Sequence, residues 1–463
     1  MNYPSTVALT LFCVSGLLLP HAVAEPPTPP SKTDSPPNVI LILADDMALG
    51  DLSSLNGGLS RTPHLDRLKD DSVWFSQAYS AAPVCAPARA ALLTGRYPHR
   101  TGVVTLNQLT YPSLTRLRRD ETTIAELLQD RGYATGLIGK WHCGNGQGYE
   151  PNDHGFDEFE GFLNHTFIRR YFDYRLQVAG RTVEVNDQYL TSDLSARAVD
   201  FVRRHRDEPF FLHLAHYAPH RPIDAPAERI EPYLRRGLDQ QTATVYAMIE
   251  IMDQGIGELL EELDRLQIRE QTIVVFASDN GPDPLVQRRF NHDLRETKYT
   301  VYEGGVKVPF LVHWPNKLTP KELHDTVHFT DVLPTLMELC GFDVPETLEL
   351  DGASLAGRLT GNADVAPLPG QRFWQWNRAQ PRYSHNAAVR EGNWKLVRPF
   401  VTRNIPKNDS ELPPALYDLS SDPSESHDVA AEHPERVTQM NQALESWTRA
   451  VERDRTRTES VAD

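Results

Sequence analysis

Cysteine is scarce in this chain: four in 463 residues, at positions 13, 85, 143 and 340. With the first in a leader, the remaining three are too few for a disulfide framework, and only a single Cys143–Cys340 bridge stays open. Positive charge is also in deficit. Lys and Arg total 47 against 63 Asp and Glu, a formal net charge of −16. That argues against nucleic acid as a partner, since phosphate binding needs a basic face. No apolar run is long enough for a stable membrane span: Val7 to Leu19 covers thirteen residues where about 20 are needed. There is no internal repeat.

What is present begins with a secretory signal over residues 1–24. The apolar stretch is followed by Ala22-Val23-Ala24 before Glu25, an Ala-x-Ala cleavage pattern, although the preceding segment has no Lys or Arg. Bulky Phe12 before Cys13 argues against lipid attachment there. The protein is expected to be secreted or periplasmic. Residues 25–37 (EPPTPPSKTDSPP) form a Pro-rich linker without means to pack. Beyond it the composition, 40% hydrophobic and 24% charged, is that of an ordinary globular protein.

Continuous apolar runs at Asn38–Ala44, Tyr133–Ile138, Pro209–Ala215 and Thr272–Ala277 predict strands buried on both faces. Helical patterns lie between them, at Glu121–Asp130 and from about Gln241 to Leu266. The fold class is therefore α/β, a large mainly parallel sheet sandwiched by helices. It is assigned to a catalytic domain over residues 38–366. Residues 367–463 predict a smaller C-terminal α+β subdomain containing an antiparallel sheet. In it, Asn386–Val397 reads as a hairpin turning on Glu391-Gly392-Asn393, and Glu432–Val451 as a closing helix.

Each apolar run leads into chemically useful residues. These are Asp45-Asp46, Gly139-Lys140-Trp141-His142, Tyr217-Ala218-Pro219-His220 and Ser278-Asp279-Asn280-Gly281. In a parallel sheet the strand C-termini share one edge, where such folds bind ligands, so four distant segments converge. Taken singly, each acidic pair reads as turn or cap residues. Jointly, Asp45, Asp46, Asp279 and Asn280 form an all-oxygen set that selects Ca²⁺ or Mg²⁺ over Zn²⁺. His142 and His220 at the same edge are suited to proton transfer near neutral pH. Lys140 shares the side of His142 on an extended segment. Lys298 alone reads as solvated charge, but it precedes Tyr302-Glu303-Gly304-Gly305, whose glycines permit close approach.

The remaining signal is Cys85-Ala86-Pro87-Ala88-Arg89. A lone cysteine is usually a small buried hydrophobe. Here, Pro87 suits the first turn of a helix that Cys85 immediately precedes, where free N–H groups and the helix dipole favour an oxyanion. Arg89 projects from the same face and can stabilise that anion directly.

Taken together, these residues resemble the type I formylglycine-dependent sulfatases, an arylsulfatase-like family of the alkaline-phosphatase superfamily. The matching segments are NVILILADD (38–46), TPHLD (62–66), Cys85 to Tyr97, GKWH (139–142), Ala218-Pro219-His220, SDNG (278–281), Lys298 with YEGG (302–305), and Leu416 to Leu419. They occur in family order across most of the chain. The resemblance implies that a maturation enzyme oxidises Cys85 to formylglycine, which binds one calcium ion, Mg²⁺ being the lesser alternative, together with Asp45, Asp46, Asp279 and Asn280. It further implies that Arg89 supports the formylglycine, Lys140 and Lys298 hold the sulfate oxygens, His142 stands beside the nucleophile and His220 beside the leaving oxygen. One hydroxyl of the hydrated aldehyde would attack sulfur and the second would expel sulfate by collapse to the aldehyde. Cys143, where relatives often have an aliphatic residue, is a departure conservative in size.

The expected function is hydrolysis of sulfate esters of a carbohydrate. An acidic chain can bind such an anion if its cations are focused at one site. The rivals are a formylglycine-dependent phosphodiesterase or phosphonate monoester hydrolase with similar machinery, and a catalytically inactive calcium-dependent glycan-binding protein. A two-zinc phosphatase is disfavoured because no His-rich second metal set accompanies the Asp pairs. Two clusters are candidates to line sugar subsites: His165, Arg169, Arg170, Tyr171 and Tyr174, and Trp374, Trp376, Arg382 and His385.

Overall fold

In the computed structural model the described residues are 36–457 except 363, 364 and 366, with Met1, Pro4 and Ala8. The leader and nearly all of the linker therefore lie outside the described residues. Strand β1 (Asn38–Ala44) is buried along its whole length. Its side chains alternate between two hydrophobic clusters, Val39, Leu41 and Leu43 on one face and Ile40, Ile42 and Ala44 on the other. Burial on both faces explains the unbroken apolar sequence.

β1 lies at the centre of an eleven-stranded sheet. Strands β2 (Ala134–Lys140), β3 (Phe210–Ala215) and β4 (Thr272–Ser278) pair in the order β4-β1-β3-β2, all parallel. Glu158–Phe162 extends this parallel block beyond β2. Antiparallel strands finish both sides, Phe310–His313 on β4 and Asp173–Val178 on Glu158–Phe162. The sheet is thus mainly parallel where it carries the site and mixed at its flanks.

Helices cover both faces, as expected. Helix α1 (Cys85–Thr94) packs against the Val39 face; α2 (Leu190–Arg204) and α3 (Gln240–Arg265) pack against the Ile40 face. α3 starts where Asp239 caps it by accepting from Gln241 and Thr242 N–H groups. The helix expected over 121–130 is shorter, Ile124–Gln129, because Thr123 and Glu126 close a capping box inside the expected range. β2 runs on through Gly139 and Lys140 instead of ending at Ile138. Gly139 has φ 108°, and a Cβ there would lie 2.0 Å from the Ala215 carbonyl oxygen, so only glycine lets the two strand ends approach so closely. No Cys143–Cys340 bridge forms: both thiols are free and buried.

The C-terminal region forms a four-stranded antiparallel sheet from Gln371–Gln375, Ala387–Glu391, Trp394–Arg398 and Ala415–Asp418. The expected hairpin turns on Gly392-Asn393, with Glu391 opposite Trp394 and Gly392 at φ 57°. One face of this sheet packs on the closing helix α4 (Pro434–Thr456) through Met440, Leu444, Trp447 and Val451. The other face packs Trp374, Val397 and Tyr417 against Tyr79, Val301, Tyr302 and Val306. The small sheet thereby backs the segment that carries Lys298.

A buried cation ties these parts together. Lys395 Nζ lies 2.8 Å from Glu303 and 3.0 Å from Glu425, with all three side chains sequestered from water. Glu425 also accepts the Glu303 backbone N–H at 2.7 Å. Replacing Lys395 with Met leaves two buried carboxylates without their cation, which is expected to cost about 3–5 kcal/mol of stability. The checking measurement is urea unfolding; a loss below about 1 kcal/mol would show that the pair is not a structural tie.

Candidate active site

The carboxyl ends of β1, β2, β3 and β4 meet at one edge of the sheet, and α1 points its N-terminus there. Alternation along a strand would send adjacent side chains to opposite faces. The left-handed backbone at Asp46, φ 67°, breaks that alternation. As a result, carboxylate oxygens of Asp45 and Asp46, the Cys85 sulfur and a His220 ring nitrogen all lie within 4.8 Å of one another.

Charge pairing organises this cluster. Lys140 Nζ donates to Asp45 Oδ2 at 2.5 Å, and Lys298 Nζ donates to Asp46 Oδ1 at 2.6 Å. Lys298 Nζ also lies 3.3 Å from Cys85 Sγ. Arg89 donates through Nε and Nη2 to Asp279 Oδ2, at 3.0 and 2.7 Å, and through Nη1 to the Lys140 carbonyl at 3.0 Å. Asp279 Oδ1 accepts the Asp46 N–H at 3.2 Å. Arg89 therefore sets Asp279, and through it the Asp46 backbone. Asn280 donates from Nδ2 to Asp46 Oδ1 at 2.7 Å, which turns its amide oxygen the other way.

Three buried acceptors are left over: Asp45 Oδ1, Asp46 Oδ2 and Asn280 Oδ1 have no hydrogen-bond partner among the described residues. An orphaned buried acceptor costs about 1–3 kcal/mol. Three of them in one all-oxygen set fit a hard divalent cation, which would satisfy them together. The three carboxyls titrate differently. Burial and the Asp45 carboxylate push Asp279 up to about 7 despite Arg89. Burial would raise Asp45 too, but Lys140, His220 and Arg89 outweigh it and hold that carboxyl well below the usual range.

Cys85 occupies the first position of α1, not the residue before it, and is buried. Burial and the Asp45 charge push its thiol up to about 12, so the unmodified side chain is a protonated thiol at neutral pH and a poor nucleophile. His220 donates from Nδ1 to the Arg221 carbonyl at 2.6 Å and turns Nε2 toward Asp46 Oδ2, 3.8 Å away. Burial lowers its pKa to about 3, so the ring is neutral with its Nε2 lone pair free. His142, in left-handed backbone at φ 62°, is buried with neither ring nitrogen partnered among the described residues. Burial, with the Lys140 and Arg89 charges, holds its pKa well below the usual range.

All the residues singled out for chemistry thus sit at this edge, whereas the two sugar-subsite clusters divide: His165, Arg169 and Arg170 are exposed and Arg382 half-buried, but the aromatic members and His385 are buried. Tyr171 and Tyr174 are core residues. Tyr171 Oη donates to the carbonyls of Tyr217 and His220, at 2.9 and 2.8 Å, and so shapes the His220 loop from beneath. Trp374, Trp376 and His385 are also buried; Trp374 Nε1 donates to the Ser80 carbonyl at 2.7 Å. Aromatic residues in apparent inserts were drawn inward by packing.

Some supporting residues carried no sequence signal. Arg289 pairs with buried Asp51 and donates to the Asp46 carbonyl at 2.9 Å. Asn386, from the small sheet, donates to the Tyr299 and Trp376 carbonyls at 2.8 and 2.7 Å and accepts the Val301 N–H at 3.0 Å. It thereby clamps Tyr299, a non-glycine residue at φ 82°, beside Lys298. Such strain persists only where surrounding contacts enforce it.

Comparison with known proteins accords with this geometry. The family model described as Sulfatase matches residues 37–342, and the one described as N-sulphoglucosamine sulphohydrolase, C-terminal, matches residues 292–451. The chain belongs to the sulfatase family. It is 31% identical to N-acetylgalactosamine-6-sulfatase of Homo sapiens, over 91% of this chain and 87% of that protein. It is 32% identical to arylsulfatase A of Bos taurus, over 89% and 86%. The crystal structure of Ps i-CgsB in complex with k-i-k-neocarrahexaose superposes with a TM-score of 0.79 at 30% identity, covering 92% of this chain and 96% of that chain. The protein is accordingly a sulfuric ester hydrolase with an alkaline-phosphatase-like fold.

Because Asn386 makes three hydrogen bonds to buried backbone groups, Asn386→Ala is expected to destabilise the protein by about 2–4 kcal/mol. Denaturant unfolding provides the measurement, and a change within 0.5 kcal/mol (roughly the effect of an ordinary surface substitution) would show that the clamp is not structural.

Proposed function

We propose that the protein hydrolyses sulfate esters of a carbohydrate through a formylglycine made from Cys85 and one calcium ion held by Asp45, Asp46, Asp279 and Asn280. The observation that carries this reading is the set of three unpartnered oxygens gathered around a cysteine whose own thiol is too basic to act. Relatives named for N-acetylgalactosamine-6-sulfate and the neocarrahexaose complex support a saccharide substrate. When present, calcium supplies positive charge for the nucleophile and the sulfuryl oxygens, and the hydrated aldehyde supplies two hydroxyls on one carbon.

The chain's own residues do the rest. Lys140 and Lys298 are anchored on Asp45 and Asp46, so their ammonium groups are already placed to neutralise sulfuryl oxygens without reorganisation. Arg89 keeps Asp279 in position. His142, with two free ring nitrogens, takes a proton beside residue 85. His220 gives one to the departing oxygen from Nε2, and the doubly protonated ring this requires is favoured only once the sulfate's negative charge is bound beside it. The leader and the export it implies, and a maturation enzyme that oxidises Cys85, are part of the same proposal. Among the described residues no helix is long and apolar enough to cross a membrane.

Produced with a formylglycine-generating enzyme, the Cys85 peptide is expected to carry an aldehyde by mass spectrometry, and Cys85→Ala to lower 4-nitrophenyl sulfate turnover by about 10³-fold or more. Unmodified thiol in an active preparation would reject the nucleophile; faster turnover of the matched phosphate ester or phosphonate would favour that rival chemistry. Calcium added to chelator-treated protein is expected to stabilise it by about 2.7 kcal/mol at a hundredfold excess over Kd, read as a rise in Tm. Asp45→Asn should shrink that rise, and no rise with Ca²⁺ or Mg²⁺ would reject the cation site.

A further inference from the structure

Beside the cluster just described lies a second group of cations with no acidic partner built in for most of it. Tyr299 follows Lys298, and its ring centroid is 5.7 Å from Lys298 Nζ. Three arginines from separate segments gather on the same ring. Arg221 donates from Nη2 to Tyr299 Oη at 2.8 Å. The guanidinium carbons of Arg378 and Arg403 lie 5.7 and 5.8 Å from the ring centroid. Arg378 Nε also donates to the Arg403 carbonyl at 2.7 Å, linking those two segments. Beneath them, Trp376 packs on the ring at 5.5 Å, and Asn386 holds the Tyr299 carbonyl.

The charges at this rim are balanced differently from those inside. Lys140 and Lys298 are each matched by a carboxylate, and Arg221 has Asp283 at 3.4 Å. Among the described residues neither Arg378 nor Arg403 has a carboxylate within ion-pair distance, and Arg403 is exposed. In a chain of net charge −16, an acidic side chain could have been placed there easily. Like charges held together around one ring repel unless an anion sits between them, and guanidinium groups present the paired donors that carboxylates and sulfates accept.

We propose that Arg221, Arg378 and Arg403 form a subsite for a second oxyanion on the substrate, a sulfate ester or uronate carboxylate on the part of the saccharide that leaves. The substrate class is thus a saccharide bearing at least two anionic groups, only one of which is cleaved. This rests on the sulfatase reading and adds to it the identity of the leaving side.

The test measures inhibition of 4-nitrophenyl sulfate hydrolysis by N-acetylgalactosamine 6-sulfate, by the same sugar with a second sulfate, and by the disaccharide in which a uronate is attached. The wild-type enzyme is expected to bind at least one of the two doubly anionic probes about tenfold tighter than the singly charged one. Whichever probe shows the gain distinguishes sulfate from carboxylate. Arg403→Glu, on an exposed segment, should remove that preference, Arg403→Lys should keep part of it, and the preference should fall as salt is raised. No preference in the wild-type enzyme, or a preference that survives both Arg403→Glu and Arg378→Ala, overturns the subsite. Failure of the wild-type enzyme to hydrolyse 4-nitrophenyl sulfate at all would instead strike the underlying sulfatase reading.

Discussion

Three buried carboxylates share the edge of one sheet, and the rest of the structure depends on their mutual repulsion being held in check. Asp45, Asp46 and Asp279 are each tied to a cation from a different part of the chain: Lys140, Lys298 and Arg89. The ties balance the formal charge but leave Asp45 Oδ1, Asp46 Oδ2 and Asn280 Oδ1 without a partner. Buried charge is tolerated only when paired and hydrogen-bonded, so the arrangement is stable only as a whole. Those unpartnered oxygens are what recommend a divalent cation, and the pairing fixes where the two ammonium groups stand.

The small C-terminal sheet follows from the same constraint. Lys298 comes from a segment with little regular structure, and such a segment would not hold an ammonium group against a buried carboxylate unaided. Asn386 grips its backbone, Tyr79, Trp374 and Tyr417 pack around Val301 and Tyr302, and Lys395 locks Glu303 to Glu425. The small sheet is therefore the wall against which half of the site is set, and it brings Arg378 and Arg403 to the rim.

Much of this was legible in the amino-acid order. Strands buried on both faces need continuous apolar runs, so NVILILA and TIVVFA announced themselves, and the polar residues following them fell on one edge because the strands are parallel. Helices α3 and α4 began within two residues of their expected starts. Other positions were misread for physical reasons. Tyr171, Tyr174, Trp374 and Trp376 looked like a sugar platform because aromatic residues serve both surfaces and cores, and composition does not say which. Lys395 was not singled out within its hairpin, since nothing local reveals a pair of buried glutamates 92 and 30 residues away.

By itself, the sequence determined the strand core and a helix beginning within a residue of Cys85, and it offered candidate oxygen donors for a hard cation, because each depends on local pattern or on side-chain chemistry. Tertiary structure alone decided which oxygen of each carboxylate is free, that Arg89 grips Asp279, and that three arginines from distant segments close on Tyr299. Those outcomes depend on where backbone turns such as Asp46 and Tyr299 aim a side chain, and on which partner reaches it first. Such choices are made by packing across hundreds of residues, and no short stretch of sequence contains them.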